Sequence, residues 1–356
     1  MIKKTGMRSL VVLFWISLFL FILYMPQFSL FKKRDSINVF TWGDILEPSV
    51  VAEFEAATGI HVNMNFYSSN EELLVKLKAT EGKGYDMIIP SDYSVEILAK
   101  ENLLKPLDHE KLEFFPQLSP KLLNLSFDPQ NVYSIPFEWE IFLLGIDQDY
   151  FKEKPFIPSW KSLFDPETIH YRITMSNDPI QSLQMAAFYL FGPVDTLSEA
   201  QLQESTALLV KQKPYVNAYA DFRADYFLAT KNSQLAICSS SYLFRTMRKF
   251  PFINYVLPKE GSFITIENIC IPKASQKEHL TYQLINYLYQ PSSMKTHYET
   301  YGIFPAREDV LHSLPPNDPM KKLLSLSDKE LGKFHFFSML SSQANIRNAW
   351  VQVKTH

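Results

Sequence analysis

The stretch Asn38–Val62, NVFTWGDILEPSVVAEFEAATGIHV, changes backbone period twice. Ile37 to Trp42 is rich in β-formers and reads as a strand. Gly43-Asp44 turns the chain, Pro48 suits the first turn of a helix, and Val50, Phe54 and Ala57 recur on one helical face. Gly59 follows as a helix-ending C′ glycine. Ile60, Val62, Met64 and Phe66 then alternate with polar residues, the period of a half-buried strand. Strand, helix, strand predicts a parallel βαβ unit. It also leaves a tryptophan and a carboxylate, Trp42 and Asp44, at the mouth of a strand-to-helix turn.

The pattern continues outward. Ser69-Asn70-Glu71-Glu72 has the form of a capping box. Leu73, Leu74 and Leu77 give the next helix an apolar stripe, Glu72 and Lys76 form an i,i+4 pair, and Gly82 and Gly84 end it. YDMIIPSDY reads as a third strand stopped by Pro90, with a helix from about Ser94 to Lys100. In such sheets ligands bind outside the carboxyl ends of the strands. Trp42-Gly43-Asp44 and Ser91-Asp92-Tyr93 therefore belong to one rim. SIPFEWEIFLLGID, Ser134 to Asp147, is a long extended run suited to crossing between lobes. A second α/β unit follows: a strand in YRITMS, a loop at Ser176-Asn177-Asp178, and a helix from Pro179 to Gly192. QLAICSSSYLFRTM repeats strand, serine turn and helix. YVLPKEGSFITIENICIPKAS supplies two strands and a return crossing. The segment from Glu278 is helical with a break at Pro291, and the tail beyond Pro315-Pro316 is mostly helical.

With 356 residues the chain exceeds one ordinary core, so two lobes are expected. The net charge of −3 without a basic stripe excludes a nucleic-acid footprint. Two cysteines, Cys238 and Cys270, exclude a disulfide framework and a thiol-rich zinc site; buried free thiols are the expectation, and pairing is left open. Lys3, Lys4 and Arg8 precede an apolar run from Leu10 to Tyr24, the form of an export signal. The run is short for a spanning helix, which needs about 20 apolar residues. It has no small-residue cleavage site, so either removal or retention as an anchor is open. Lys32, Lys33 and Arg34 after the run oppose export, but the basic amino end and the globular remainder favour it.

Catalytic signatures are missing. G-x-S-x-G, H-E-x-x-H and the phosphate-binding glycine loop do not occur, and the eight histidines are scattered. No cofactor and no metal is expected. Aromatics and acids at strand ends remain. An organic ammonium needs a carboxylate to pair with and π-faces for its charge and methylenes.

FTWGDILEP, TGIHVNMNFYSSNEELLVKLKA, YDMIIPSDYSVEIL, FDPQNVYSIPFEWE and LPKEGSFITIENICIP occur in order between about Ile37 and Tyr301. Together they resemble the spermidine/putrescine periplasmic binding proteins of ABC transporters. The resemblance implies a type II periplasmic-binding-protein-like α/β fold. Each of its two lobes is a mostly parallel sheet flanked by helices, and crossing strands join them. The implied division is 1–36 as signal or anchor, 37–140 with 266–311 as lobe 1, and 141–265 with 312–356 as lobe 2. It further implies a polyamine ligand, ABC permease subunits as partners, and a periplasmic address, attached to the inner membrane if the N-terminal segment is kept. Carried over by position, the ligand-binding set is Trp42, Ser91, Tyr93, Asp178 and Glu267, with Gln181 in place of a family glutamate. Asp44 joins the set as the acid beside Trp42. Further family aromatics fall on Ile45, Cys238, Thr265 and Ile303. With Gln181 for an acid, a ligand of two positive charges, such as putrescine, or weak and broad polyamine binding is expected. Asp44, Glu138 or Glu140 is available to restore a third carboxylate and reverse that.

Each residue also has a plainer reading. Asp178 before Pro179 is a good N-cap, a role compatible with ligand binding. Trp42 suits a core and Tyr93 a packed rim. Glu267 interrupts an apolar run and is either paired or at a pocket. Glu138, Trp139 and Glu140 either replace pocket groups or form hinge surface. Three other functions stay open: a cleft enzyme using Asp178 and Glu267 as acid and base, a polyamine sensor that hands nothing to a permease, and a binding protein for a different small solute.

Overall fold

The computed structural model describes residues 2–24, 35–154, 156–220, 223–316, 318, 321–324 and 328–356. Residues 1 and 25–34 of the expected signal or anchor segment lie outside the described residues. The strands are β1 (Ser36–Trp42), β2 (His61–Tyr67), β3 (Met87–Ile88), β4 (Ser134–Asp147), β5 (Ile173–Ser176), β6 (Val216–Ala220), β7 (Leu235–Ser239), β8 (Ile253–Val256), β9 (Ser262–Cys270), β10 (Phe304–Pro305) and β11 (Phe334–Phe336). Their order is β2-β1-β3-β9-β4-β7-β5-β6, with β8 and β10 on β4 and β11 on β9.

Each lobe has a parallel set. In the first, β1 lies between β2 and β3, both parallel to it. In the second, β5 lies between β6 and β7, again parallel. The join is made by two paired strands, β4 and β9. The first half of β4 runs antiparallel to β9, from Ser134 opposite Cys270 to Ile141 opposite Ile264. Its second half pairs with β7, from Phe142 opposite Ser239 to Ile146 opposite Leu235, and with β8. All of β4 is buried, as its continuous apolar run requires.

Local signals behave as expected where they depend only on neighbours. The helix Pro48–Thr58 ends at Gly59 in the left-handed region, φ 74°. Its buried face is Val50, Val51 and Phe54; Ala57 is exposed. Ser69 caps the helix Asn70–Thr80 by accepting from Glu72 N at 3.1 Å. The reciprocal bond goes one residue further back, with Ser68 N donating to Glu72 Oε2 at 2.9 Å. The alternation of β2 breaks at its end: Tyr67 is buried and Phe66 is exposed. The third strand shortens to Met87–Ile88, and the next helix begins at Asp92 rather than Ser94. β6, β10 and β11 were not signalled by periodicity.

Cys238 and Cys270 are both buried and unpaired. Among the described residues no helix is long and apolar enough to cross a membrane. The helix Ile2–Tyr24 exposes Leu13, Phe14, Trp15 and Phe19.

The tail is held against the return strand at one tight point. Gly261 has φ +111°, and a Cβ added there would lie 2.0 Å from the carbonyl oxygen of Lys333, just ahead of β11. That is backbone and has no rotamer to yield. Trp160, wholly buried, donates Nε1–H to Gly261 O at 3.0 Å and fixes the same turn. Gly261→Ala is therefore expected to lose more than about 1 kcal/mol of stability. Urea unfolding should show a lower midpoint; an unchanged midpoint would contradict this packing.

Candidate functional site

A cavity of about 450 Å³ lies between the lobes, in the size range of small-molecule sites. Its lining includes Trp42, Asp44, Ser91, Asp178, Gln181 and Glu267. Six of the seven expected site residues thus share one cavity wall. The seventh, Tyr93, lies behind that wall, almost fully buried, and acts through Asp178.

Trp42 ends β1 with its ring 4.6 Å from that of Tyr67. Its Nε1–H donates to Glu267 Oε2 at 2.9 Å. Asp44 takes the left-handed turn conformation, φ 58°, which short polar side chains tolerate. Ser91 occupies the N-cap position of the helix Asp92–Lys100 yet makes no side-chain cap bond. Its Oγ–H donates to Glu267 Oε1 at 2.8 Å instead. Asn70 Nδ2 donates to Ser91 Oγ at 3.1 Å and to the Tyr93 hydroxyl oxygen at 2.7 Å. The Tyr93 hydroxyl in turn donates to Asp178 Oδ2. Asp178 also caps the helix Pro179–Phe191, its Oδ1 accepting from Gln181 N at 3.0 Å. One carboxylate thus caps the helix, as read from the sequence, and also lines the cavity. The Gln181 side chain accepts from Ser176 Oγ at 2.8 Å.

Asp178 belongs to the second lobe and Tyr93 to the first, so this network closes the cleft. A second bridge stands at its mouth. Arg245 Nη1 lies 3.6 Å from Asp44 Oδ2, with the guanidinium 4.4 Å from the Tyr242 ring centroid and 5.9 Å from that of Tyr301.

Glu267 is 6 % exposed and lies on β9 directly opposite Glu138 of β4. Burial pushes its carboxyl from the usual 4.5 up to about 8. The hydrogen bond from Ser91 opposes that, the negative charges of Asp92 and Glu140 reinforce it, and the Trp42 bond opposes it more weakly. Glu138 is pushed up as well, by burial first and then by Glu140 and Glu267. It does not reach the cavity. Asp92, wholly buried, is raised by burial, with Asp178 adding to it.

Sequence reasoning left Glu140 undecided; it lines the cavity. Phe66, Tyr67, Phe142 and Tyr242 line it too and were missed as site residues. The break in alternation at Phe66–Tyr67, at the carboxyl end of β2, was the available signal. The carried-over positions Ile45, Thr265 and Ile303 line the cavity without a ring. Cys238 instead faces a small adjoining pocket of about 30 Å³, beside Ser239 and Tyr242. Among the described residues no group of three or more His, Cys, Asp or Glu side chains is placed to hold a metal ion.

Two α/β lobes gripping an acid- and ring-lined cleft define a solute-binding protein. The family described as bacterial extracellular solute-binding protein matches residues 49–322, and the chain belongs to it. It is 30% identical over 304 residues to the spermidine/putrescine-binding periplasmic protein of Salmonella typhimurium, covering 84% of both chains. It is 28% identical over 265 residues to the putrescine/cadaverine-binding protein of Pseudomonas aeruginosa, covering 71% of this chain and 74% of that one. A solved structure, a putative spermidine/putrescine ABC transporter from Listeria monocytogenes, matches with a TM-score of 0.80 at 26% identity, covering 90% of this chain and 99% of that one. The chain is a periplasmic substrate-binding protein of the ABC-transport class with the type II fold.

The raised acid has a consequence for stability. Glu267 binds its proton more tightly folded than unfolded. Its contribution is therefore complete below about pH 4.5 and is lost as pH rises through about 8. Between pH 6 and 8 the protein should lose up to about 1.4 kcal/mol per pH unit relative to Glu267→Gln. Urea midpoints of the two proteins across that range check this; parallel curves would refute the buried, raised carboxyl.

Proposed function

We propose that the protein captures a polyamine in the interlobe cleft and delivers it to an ABC permease, with no catalysis of its own. The observation that carries this is the chain from Asp178 through Tyr93, Asn70 and Ser91 to Glu267. It places two carboxylates at the ends of one continuous hydrogen-bond network. An ammonium at each end sets a cation beside a carboxylate, and at the buried Glu267 end it offsets the cost of burying the charge. An ammonium against Glu267 favours its ionised form, so the carboxyl releases its proton as the ligand arrives. Trp42, Phe66 and Tyr242 present faces to the methylenes and the charge.

The site is less suited to acid–base catalysis. Both Glu267 oxygens already accept bonds, from Trp42 and Ser91, and Asp178 is held by Tyr93 and Gln181 N. Neither is beside an activated nucleophile. The lobe boundaries proposed are 37–140 with 266–311, and 141–265 with 312–356. The crossings at 140/141 and 265/266 fall inside β4 and β9, which supports them. The N-terminal helix, with its exposed Leu13, Phe14, Trp15 and Phe19, serves either as a removed export signal or as an anchor on the inner membrane.

Calorimetric titration with putrescine, cadaverine, spermidine and spermine tests the ligand. Asp178→Asn keeps a competent N-cap, so the lobe should fold. It should cost about 2–5 kcal/mol of binding, because an ammonium loses its charged partner. Trp42→Ala should cost about 1–2 kcal/mol through lost stacking. If no polyamine binds tighter than about millimolar, the ligand reading fails. N-terminal sequencing of protein recovered from the envelope separates the two fates of the leading helix. A start near Met1 in the membrane fraction is the anchor, a later start is cleavage, and full-length protein in the cytosol contradicts export.

A further inference from the structure

Five carboxylates line the cavity: Asp44, Glu72, Glu140, Asp178 and Glu267. Ion pairs hold two of them. Asp44 faces Arg245, and Glu72 lies 2.9 Å from Lys76 Nζ. Asp178 and Glu267 are the two ends of the Tyr93–Asn70–Ser91 network. Glu140 stands outside it.

Glu140 projects from β4 opposite Thr265, two positions beyond Glu138 and diagonal to Glu267. Diagonal neighbours on an antiparallel ladder are about 7–8 Å apart, a spacing a short methylene chain covers. One oxygen, Oε2, accepts from Ser241 N at 3.1 Å and from the Ser241 hydroxyl. Ser241 lies in the first turn of the helix Ser240–Met247, so the positive end of that helix faces the carboxylate. Among the described residues nothing donates to Oε1, and no Lys, Arg or His lies within ion-pair distance of Glu140. The residue is only 7 % exposed. A carboxylate fixed in this way, with one oxygen toward a cavity and no cation of its own, is costly unless a cationic ligand reaches it. Thr265, directly opposite Glu140 on the ladder, also lines the cavity and bears only a small side chain, which leaves room beside the carboxylate.

We propose that Glu140 is a third ammonium anchor, which makes the site select linear triamines over diamines. The inference rests on the polyamine reading of the cleft. A diamine satisfies the two ends of the Asp178–Glu267 network, and a triamine has a further nitrogen for Glu140. The resulting selectivity reverses the expectation, drawn from Gln181, of a two-charge ligand.

The test is calorimetric titration of putrescine and spermidine, at one ionic strength, into the wild type, Glu140→Gln and Glu140→Asp. Gln is close in shape and its carbonyl still accepts from Ser241, so the fold should persist; a thermal melt checks this. Wild type should bind spermidine more tightly than putrescine. Glu140→Gln should lose at least about tenfold more affinity for spermidine than for putrescine, the scale of one charged hydrogen bond. Glu140→Asp keeps the charge and should retain part of the preference. Equal losses for both amines, no loss, or a wild type without preference for spermidine overturns the proposal and leaves the polyamine reading standing. A wild type that binds neither amine overturns both.

Discussion

The ladder between β4 and β9 bears most of what this protein must do. It is the covalent and hydrogen-bonded join between the lobes, and the same few residue pairs carry the acids of the cleft. A strand buried along its length is a stiff connector, since every backbone group on it must stay paired. The lobes can approach only where side chains across the cleft complete one another, and Tyr93 with Asp178, and Asp44 with Arg245, do so.

Placing acids on that ladder is expensive. Glu138 and Glu267 are directly opposite, and like charges in that arrangement are destabilising. The chain tolerates this by leaving the acids differently equipped. Glu267 has two donors, Glu140 has a serine and a helix end, and Glu138 is sealed between β9 and β10 with one oxygen unpartnered. Burial raises the carboxyls of both Glu138 and Glu267, and a positive charge brought beside Glu267 would offset that cost. In the proposed polyamine site, selectivity for cations follows from the acids on this ladder, and the rings refine it.

Much of the architecture was legible because it is written locally. Gly59, Ser69 and Asp178 announce helix ends through rules that need only their neighbours, and the SIPFEWEIFLLGID run announced a crossing strand by its length. Trp42 and Ser91 were legible as neighbours because strand ends converge on one rim, whereas Asp178 and Glu267 joined them only through the family resemblance; all four line the cavity. Other features depend on partners far along the chain. β11 is three residues whose pairing requires the space left by Gly261, and no period marks it. Glu138 and Glu140 share one face of one strand and look alike in sequence. What separates them is that β10 covers the first and stops short of the second. Tyr93 looked like a rim residue and proved to be a buried one that holds Asp178, because its helix starts two residues early.

The two thiols carry a consequence for how the chain matures. Cys238 lies opposite Leu143 and Cys270 opposite Ser134, so they mark distant points on one strand, roughly 30 Å apart along extended chain. A disulfide needs Cα atoms within about 7 Å, so the folded protein cannot form this one. The unfolded chain can, and the periplasm is oxidising. A bond made there would tie the end of β9 to β7 and exclude β4 from between them, abolishing the join of the lobes. Maturation in that compartment is therefore a race, in which β4 must zip into both sheets before an oxidant finds either sulfur.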